Sequence, residues 1–286
     1  MDYRTLIDAA TLQRQLGQPG WVVLDCRFTL GDPDAGFQAY RAGHIPGARY
    51  AHLETDLSGP VAGDTGRHPL PAPAVLARRL GAWGIDRVSQ VVVYDDVGGA
   101  MAARAWWLLR WLGHERVALL DGGLMAWQRA GGALGQEAPA VAPARFDAEP
   151  GRCETVDTQA LASQLSAFAG RLVDARAAAR FRGEQEPIDP VAGHVPGALN
   201  RPFQDNLDGG YFKPAATLRQ EWQALLDGQA PEAMVMMCGS GVTACHHLLA
   251  LEVAGLGGAQ LYPGSWSEWI RDRARPVATG DARKEP

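Results

Sequence analysis

An α/β fold built twice in tandem, each half a parallel sheet flanked by helices, is predicted by three observations on this chain. Short β-rich runs alternate with helical patterns, as they do where helices cover a parallel sheet. One set of segments returns in the same order about 150 residues further on. The 286 residues, 47% of them hydrophobic and 21% charged, suffice for two ordinary domain cores.

In the first copy Val22–Leu24, Val91–Tyr94 and Val117–Leu120 read as strands, with helices over about Met101–Leu112 and Leu124–Ala130. The second copy has strands at about Arg171–Val173, Ala233–Met237 and Ala259–Leu261, and helices near Thr243–Ala254 and Trp266–Arg271. Asp25-Cys26-Arg27 is matched by Asp174-Ala175-Arg176, and Gly43-His44-Ile45-Pro46-Gly47-Ala48 by Gly193-His194-Val195-Pro196-Gly197-Ala198. Further on, Val91 to Asp95 aligns with Met234 to Cys238, and Gly122 and Trp127 with Gly264 and Trp269. The predicted organisation is an N-terminal domain over 1–135 without a nucleophilic cysteine, an Ala- and Pro-rich extended linker over 136–155, a catalytic domain over 156–278 and a polar tail over 279–286.

Composition excludes several partners. A net charge of −5 with no sustained basic run gives no reason to expect nucleic acid or an anionic membrane, so small ligands are expected. Neither an export leader at the N-terminus nor an apolar stretch of about 18 residues is visible, and a cytoplasmic location is predicted. Cys26, Cys153, Cys238 and Cys245 are too scattered for a disulfide framework and lack the paired spacing of a zinc site, which also fits a reducing compartment.

The chemistry is concentrated in Cys238-Gly239-Ser240-Gly241-Val242-Thr243, where a strand ends, a glycine loop turns and a helix begins. Glycines at 239 and 241 allow turn conformations in which successive N–H groups converge on one anion, and the helix N-terminus adds partial positive charge. Cysteines so placed deprotonate readily, and Cys238 is read as a nucleophile. The other copy carries Asp95 at this position, followed by Asp96, and a carboxylate cannot attack sulfur; Asp95 and Asp96 are read as helix-capping groups. Ligands in open α/β sheets bind beyond the carboxyl ends of the strands, where Cys238 falls, and the inactive copy can still supply a wall.

These segments together resemble the tandem-domain rhodanese-type sulfurtransferases, and within them the 3-mercaptopyruvate branch. The resemblance runs from about residue 5 to 278 through both Gly-His-(Ile/Val)-Pro-Gly-Ala segments, the Leu120-Asp121-Gly122-Gly123 and Tyr262-Pro263-Gly264-Ser265-Trp266 turns and the cysteine loop. Thiosulfate-using relatives usually carry Arg and Lys after the cysteine, whereas Gly239-Ser240 resembles the mercaptopyruvate branch. The resemblance implies two rhodanese-like domains and sulfur transfer through a Cys238 persulfide to a thiol or cyanide acceptor, with no metal or other cofactor required. Gly239, Gly241, Val242 and Thr243 would supply loop N–H groups, and the hydroxyls of Ser240 and Thr243 would help stabilise the sulfur anion.

Within Arg180-Phe181-Arg182-Gly183, Arg180 matches the family's carboxylate-binding arginine, and its planar fork suits bidentate binding. Arg182 is either a further ligand or a solvated surface charge. A second family arginine before the Gly-His segment is replaced here by Glu186-Pro187-Ile188-Asp189-Pro190. Asp56 and His68 resemble the family's acid and histidine near the active loop and, with Ser240, could relay a proton. His44 and His194 occur in both copies, as do Asp25 and Asp174, so all four are assigned to architecture; Cys245 is assigned to packing, with a redox partner for Cys238 as the alternative. A cysteine phosphatase would need an arginine after five intervening residues, but Ala244 and Cys245 stand there. A purely binding module is disfavoured by the intact cysteine loop, and thiosulfate remains the alternative donor.

Overall fold

The computed structural model describes residues 2–151, 153–168 and 171–281. They gather into two compact units, the first made of residues up to Gly59, Leu70 to Gly151 and Gly209–Phe212, the second of Pro60–Pro69, Cys153–Asp208 and Lys213 onward. Residues 60–69, which the repeat assigns to the first copy, thus fold with the second unit.

The first unit comprises β1 (Leu6–Ile7), α1 (Ala9–Gln15), β2 (Trp21–Asp25), α2 (Ala35–Ala42), β3 (Arg49–Tyr50), α3 (Pro73–Ala82), β4 (Gln90–Tyr94), α4 (Ala102–Trp111), β5 (Val117–Leu120) and α5 (Gly123–Arg129). Its sheet has five parallel strands ordered β1-β5-β4-β2-β3. The central strands β2 and β4 are almost wholly buried, as continuous apolar runs must be in a sheet covered on both faces. Leu12, Val23, Ile45, Val92, Leu120 and Trp127 are among the core residues gathered around them.

The second unit contains α6 (Thr158–Ser163), β6 (Leu172–Asp174), α7 (Ala178–Phe181), β7 (Leu199–Asn200), β8 (Leu207–Asp208), α8 (Ala215–Leu226), β10 (Val235–Met237), α9 (Ala244–Val253), β11 (Gln260–Leu261) and α10 (Ser265–Trp269), with β9 (Tyr211–Phe212) counted in the first unit. Its sheet runs β11-β10-β6-β7, again parallel, and reproduces the order β5-β4-β2-β3. The counterpart of β1 shrinks to a single parallel bridge between Thr155 and Leu261. Leu161, Leu172, Phe181, Val235, Trp266 and Trp269 form the heart of its core. Even the caps repeat: Asp8 accepts from Thr11 N and Asp157 from Ala160 N, each at 2.7 Å, opening α1 and α6.

Both copies tie their two shared motifs together in the same way. Arg27 grips Asp25 with its fork and donates to the Gly43 carbonyl at 2.7 Å; Arg176 grips Asp174 and donates to the Gly193 carbonyl at 2.7 Å. His44 Nδ1 donates to the Tyr40 carbonyl and His194 Nδ1 to that of Phe181, each at 2.8 Å. All of these side chains are buried and serve the architecture, as their duplication predicts.

Three expectations change in detail. The strand expected over Ala233–Met237 begins only at Val235, because Pro231 opens a 3-10 turn over Pro231–Ala233. The helix expected over Trp266–Arg271 spans Ser265–Trp269. The segment read as a linker has no regular structure over most of its length, yet it lies against the first unit: Ala144 N donates to Gly81 O and Glu149 N to Leu112 O, each at 2.9 Å, and Phe146 is buried. Of the expected polar tail, Gly280 N donates to Arg182 O at 2.9 Å, and residues 282–286 lie outside the described residues. Among the described residues, no helix is long and apolar enough to cross a membrane.

Candidate active site

Strand β10 ends at Met237, and Cys238 follows at its carboxyl end, only 2% exposed. The N-terminus of α10 clamps the loop that begins there: Trp266 N donates to Cys238 O at 3.0 Å and Ser267 N to Gly239 O at 2.8 Å. Cys238 N donates to Ser265 Oγ at 3.0 Å, and that hydroxyl in turn donates to Tyr262 O at 2.8 Å. Ser265 holds this position at φ 53, in the left-handed region, where a non-glycine residue costs of order 1 kcal/mol. Its counterpart in the first unit is Gly123 at φ 57, whose chain neighbour Leu124 N donates to Asp95 O at 2.9 Å. The same left-handed turn occurs twice, without strain at Gly123, and only the copy with the thiol places a hydroxyl on it.

The loop then reverses at Gly241, whose φ is 75 and whose missing Cβ would stand 2.4 Å from Pro263 O. Val242 is buried, Thr243 is half-buried, and α9 starts at Ala244, so its positive end faces back along the loop. Cys245 Sγ donates to Gly241 O at 3.3 Å from inside the core, which agrees with a packing role.

In the first unit the equivalent loop is occupied by its own side chain. The Asp95 carboxylate accepts from the N–H groups of Val97, Gly99, Met101 and Ala102 at 2.8 to 3.0 Å. In the first copy the loop is thus a set of converging donors closed by a built-in anion.

Around Cys238 the second unit assembles ionisable groups from three segments. His68 Nδ1 and Ser240 Oγ lie 2.7 Å apart, both buried. Arg180, in α7, places Nε and Nη2 on Glu186 at 2.7 to 3.2 Å and Nη2 on Asp189 at 3.0 Å. Arg67, adjacent to His68, bonds Asp189 Oδ1 through Nη1. Its segment is fixed to α10 by Arg67 N donating to Ser267 Oγ at 3.1 Å and Gly66 N to Glu268 Oε2 at 3.3 Å. Glu186 has its pKa held below the usual carboxylate value: burial pushes it up, but the Arg180 fork and the N–H groups of Asp189 and Ile188 outweigh burial. Asp189 goes the other way, raised by burial and the neighbouring Glu186 charge in spite of Arg67 and Arg180. The difference follows from the deeper burial of Asp189 and from the backbone N–H groups that donate to Glu186.

Of the residues predicted from sequence, Cys238, Gly239, Ser240, Gly241, Val242, Thr243, His68 and Arg180 come together in one unit. Arg182 pairs instead with Glu184 at 2.7 and 2.9 Å with its side chain one-third exposed. Asp56 folds with the first unit, where it accepts from His52 N and pairs with Arg79, both at 2.9 Å. Arg67, Glu186, Asp189 and Ser265 were not singled out as site residues from sequence. The run at 186–190 was read only as a missing arginine, although two of its residues are the carboxylates that hold Arg180.

Two copies of one parallel-sheet unit, with a thiol opening the glycine loop after β10 and an aspartate at the equivalent position after β4, define the tandem sulfurtransferases. The chain belongs to the rhodanese family: the signature of the Rhodanese-like domain matches twice, over residues 8–130 and 157–272. It is 54% identical over 284 residues to a Pseudomonas aeruginosa protein named probable 3-mercaptopyruvate sulfurtransferase, covering 98% of this chain and 100% of that one. It is 43% identical to SseB of Mycobacterium tuberculosis, provisionally named a thiosulfate sulfurtransferase, with 98% of each chain covered. Among solved structures, the 3-mercaptopyruvate sulfurtransferase SseA of Escherichia coli matches with a TM-score of 0.77 at 31% identity, covering 92% of this chain and 98% of that one.

Proposed function

We propose that this sulfurtransferase takes sulfur from 3-mercaptopyruvate onto Cys238 and passes it to a thiol or to cyanide. The observation that carries the reading is the loop itself, in which Gly239 and Ser240 follow the thiol and the cations stand beside the loop rather than in it. In the first half-reaction the Cys238 thiolate attacks the donor sulfur. An S–S bond forms, the donor's C–S bond breaks, and the electron pair stays on carbon as the enolate of pyruvate, which takes up one proton. Ser240 and His68, hydrogen-bonded to each other, form the relay that delivers this proton. In the second half-reaction the acceptor attacks the outer sulfur and releases the Cys238 thiolate. Loop N–H groups stabilise the sulfur anion in both steps, each donor lost costing about 3 kcal/mol.

Arg180 binds the donor carboxylate. Because Glu186 and Asp189 balance Arg67 and Arg180, the resting site offers a single-charged carboxylate directed N–H groups without a strong net positive field. That suits a monoanion better than the thiosulfate dianion. The name of the Pseudomonas relative agrees, whereas the name of the Mycobacterium relative and the two guanidinium groups beside the loop favour thiosulfate as the second reading. The domain expected over 156–278, completed by residues 60–69, is the catalytic part, and four cysteines without a disulfide fit a reducing cytoplasm.

Steady-state rates with the two donors side by side decide the matter. Mercaptopyruvate is expected to exceed thiosulfate in kcat/KM by about tenfold or more, equivalent to about 1.4 kcal/mol. Faster turnover of thiosulfate at equal low concentration would transfer the assignment to the second reading. Intact-mass measurement after donor treatment is expected to show one added sulfur, lost in Cys238→Ser and kept in Cys26→Ser, Cys153→Ser and Cys245→Ser.

A further inference from the structure

We propose that Ser267 and Glu268 of α10 are positioning residues for His68, holding the irregular segment at 60–69 where its imidazole meets Ser240. The inference rests on the proton relay given to His68 and Ser240, and it names what sets the geometry of that relay.

Three observations carry it. First, the segment has no helix or strand of its own, so its place is decided by the contacts it makes. His68 is nonetheless buried, with Nδ1 2.7 Å from Ser240 Oγ. Second, the three residues before His68 are each held from α10 or just beyond it. Thr65 O accepts from Arg271 Nε at 3.1 Å, Gly66 N donates to Glu268 Oε2 at 3.3 Å, and Arg67 N donates to Ser267 Oγ at 3.1 Å. At Gly66 the approach is so close that an added Cβ would stand 2.7 Å from Gly264 O and 2.8 Å from Ser267 Oγ. Third, the same helix grips the nucleophile's loop through Trp266 N and Ser267 N, and Trp266 and Trp269 anchor it in the core. Ser267 therefore holds Gly239 O with its N–H and Arg67 N with its hydroxyl, so one residue sets the separation between the loop of Cys238 and the segment of His68. Glu268 is braced at its other oxygen by Thr158 Oγ1, which lies 2.7 Å from Tyr262 OH. Such bracing matters because a misplacement of about 1 Å can slow a positioned step about a hundredfold.

The two donors separate a positioning role from a general loss of structure. Release of pyruvate requires a proton on carbon, whereas thiosulfate is cleaved at its S–S bond, the electron pair stays on sulfite, and no carbon is protonated. Pyruvate or sulfite formed in a single turnover at saturating donor, before any acceptor is added, reads that step alone. Glu268→Ala and Ser267→Ala are expected to slow pyruvate formation at least about tenfold, while sulfite formation stays within about twofold of the unaltered enzyme. Glu268→Gln, which offers a carbonyl oxygen to Gly66 N and an N–H to Thr158, is expected to restore pyruvate formation to within about threefold. Gly66→Ala displaces the segment and removes no hydrogen-bonding side chain. It is expected to repeat the selective loss, and it replaces any variant that does not reach the unaltered melting temperature. Folded variants that leave pyruvate formation within about twofold, or that slow both donors alike, overturn the proposal. His68→Asn, measured beside them, tests the relay itself. An equal effect on both donors, or none, removes the relay and the positioning role together; a selective loss that the Ser267, Glu268 and Gly66 variants do not share overturns the positioning role alone.

Discussion

At Gly241 two independent constraints exclude a side chain. Its φ of 75 is strained for any L-residue, and the space a Cβ would need is filled by the Pro263 carbonyl oxygen at 2.4 Å. Because that oxygen belongs to the backbone leading into α10, an added methyl cannot be relieved by a rotamer change. Gly241→Ala is therefore expected to cost about 2–3 kcal/mol in stability. It should also reduce persulfide formation at Cys238 far more than it lowers the folded fraction, which denaturant melts and intact-mass loading together would measure. Substitution at Gly239 meets only the far ends of two arginine side chains, so its penalty falls on binding rather than folding. Most of this was legible in sequence, because a glycine loop after an apolar run and before a helix has few other uses. The arginine beside it was not: Arg67 lies 171 positions before Cys238, in a segment with no period of its own, and only long-range packing brings it there.

The elements show the same division. Strands β2 and β4 were visible as apolar runs, whereas β1, β3 and β7 are two residues each and carry no periodicity to detect. Helix α9 was visible, but its composition concealed a polar centre. His246 and His247 are fully buried, and Asn206 Nδ2 donates to both at Nδ1, at 3.2 and 2.9 Å, while His247 Nε2 donates to Arg201 O at 2.8 Å. With both ring nitrogens satisfied in the neutral form, His247 has its pKa lowered to about 3 by burial, with smaller contributions from His246 and the Arg201 charge. The folded state thus resists a proton that the unfolded chain accepts near pH 6.5. Stability from this residue is complete above about pH 6.5 and is lost progressively as pH falls toward 3. Between pH 7 and 5 the loss is expected to be about 2 kcal/mol. His247→Gln should be less stable at pH 7 yet show a flatter decline, as read by urea unfolding at each pH. Parallel curves for the two proteins would contradict the assignment.

At the scale of the whole molecule, the chain keeps two copies of one architecture and gives them different contents at one position. The shared parts are those that hold the fold: Asp25–Arg27 and Asp174–Arg176, His44 and His194, and the clamp from α5 or α10 onto the loop. These were legible because they occur twice. The divergent position follows a simple physical rule, since a loop of inward-facing N–H groups must hold an anion. In the second copy Cys238 stands at that position, the sulfur anion proposed for it taking that role. In the first, the Asp95 carboxylate occupies the loop permanently by accepting from four backbone donors. Asp95 is therefore a structural replacement for the substrate-bearing group, and its removal should injure stability rather than activity. Asp95→Ala leaves four N–H groups without their acceptor, and a loss of about 3 kcal/mol or more is expected even when water partly replaces the carboxylate. Asp95→Cys should lose stability similarly without gaining a second sulfur, because the first copy has Gly123 where the second has the Ser265 hydroxyl on the cysteine N–H. Intact-mass loading is the decisive measurement: one sulfur per chain in the folded Asp95→Cys protein supports this account. Two would show that a loop and a thiol suffice, and that the contacts specific to the second copy serve the donor rather than the persulfide.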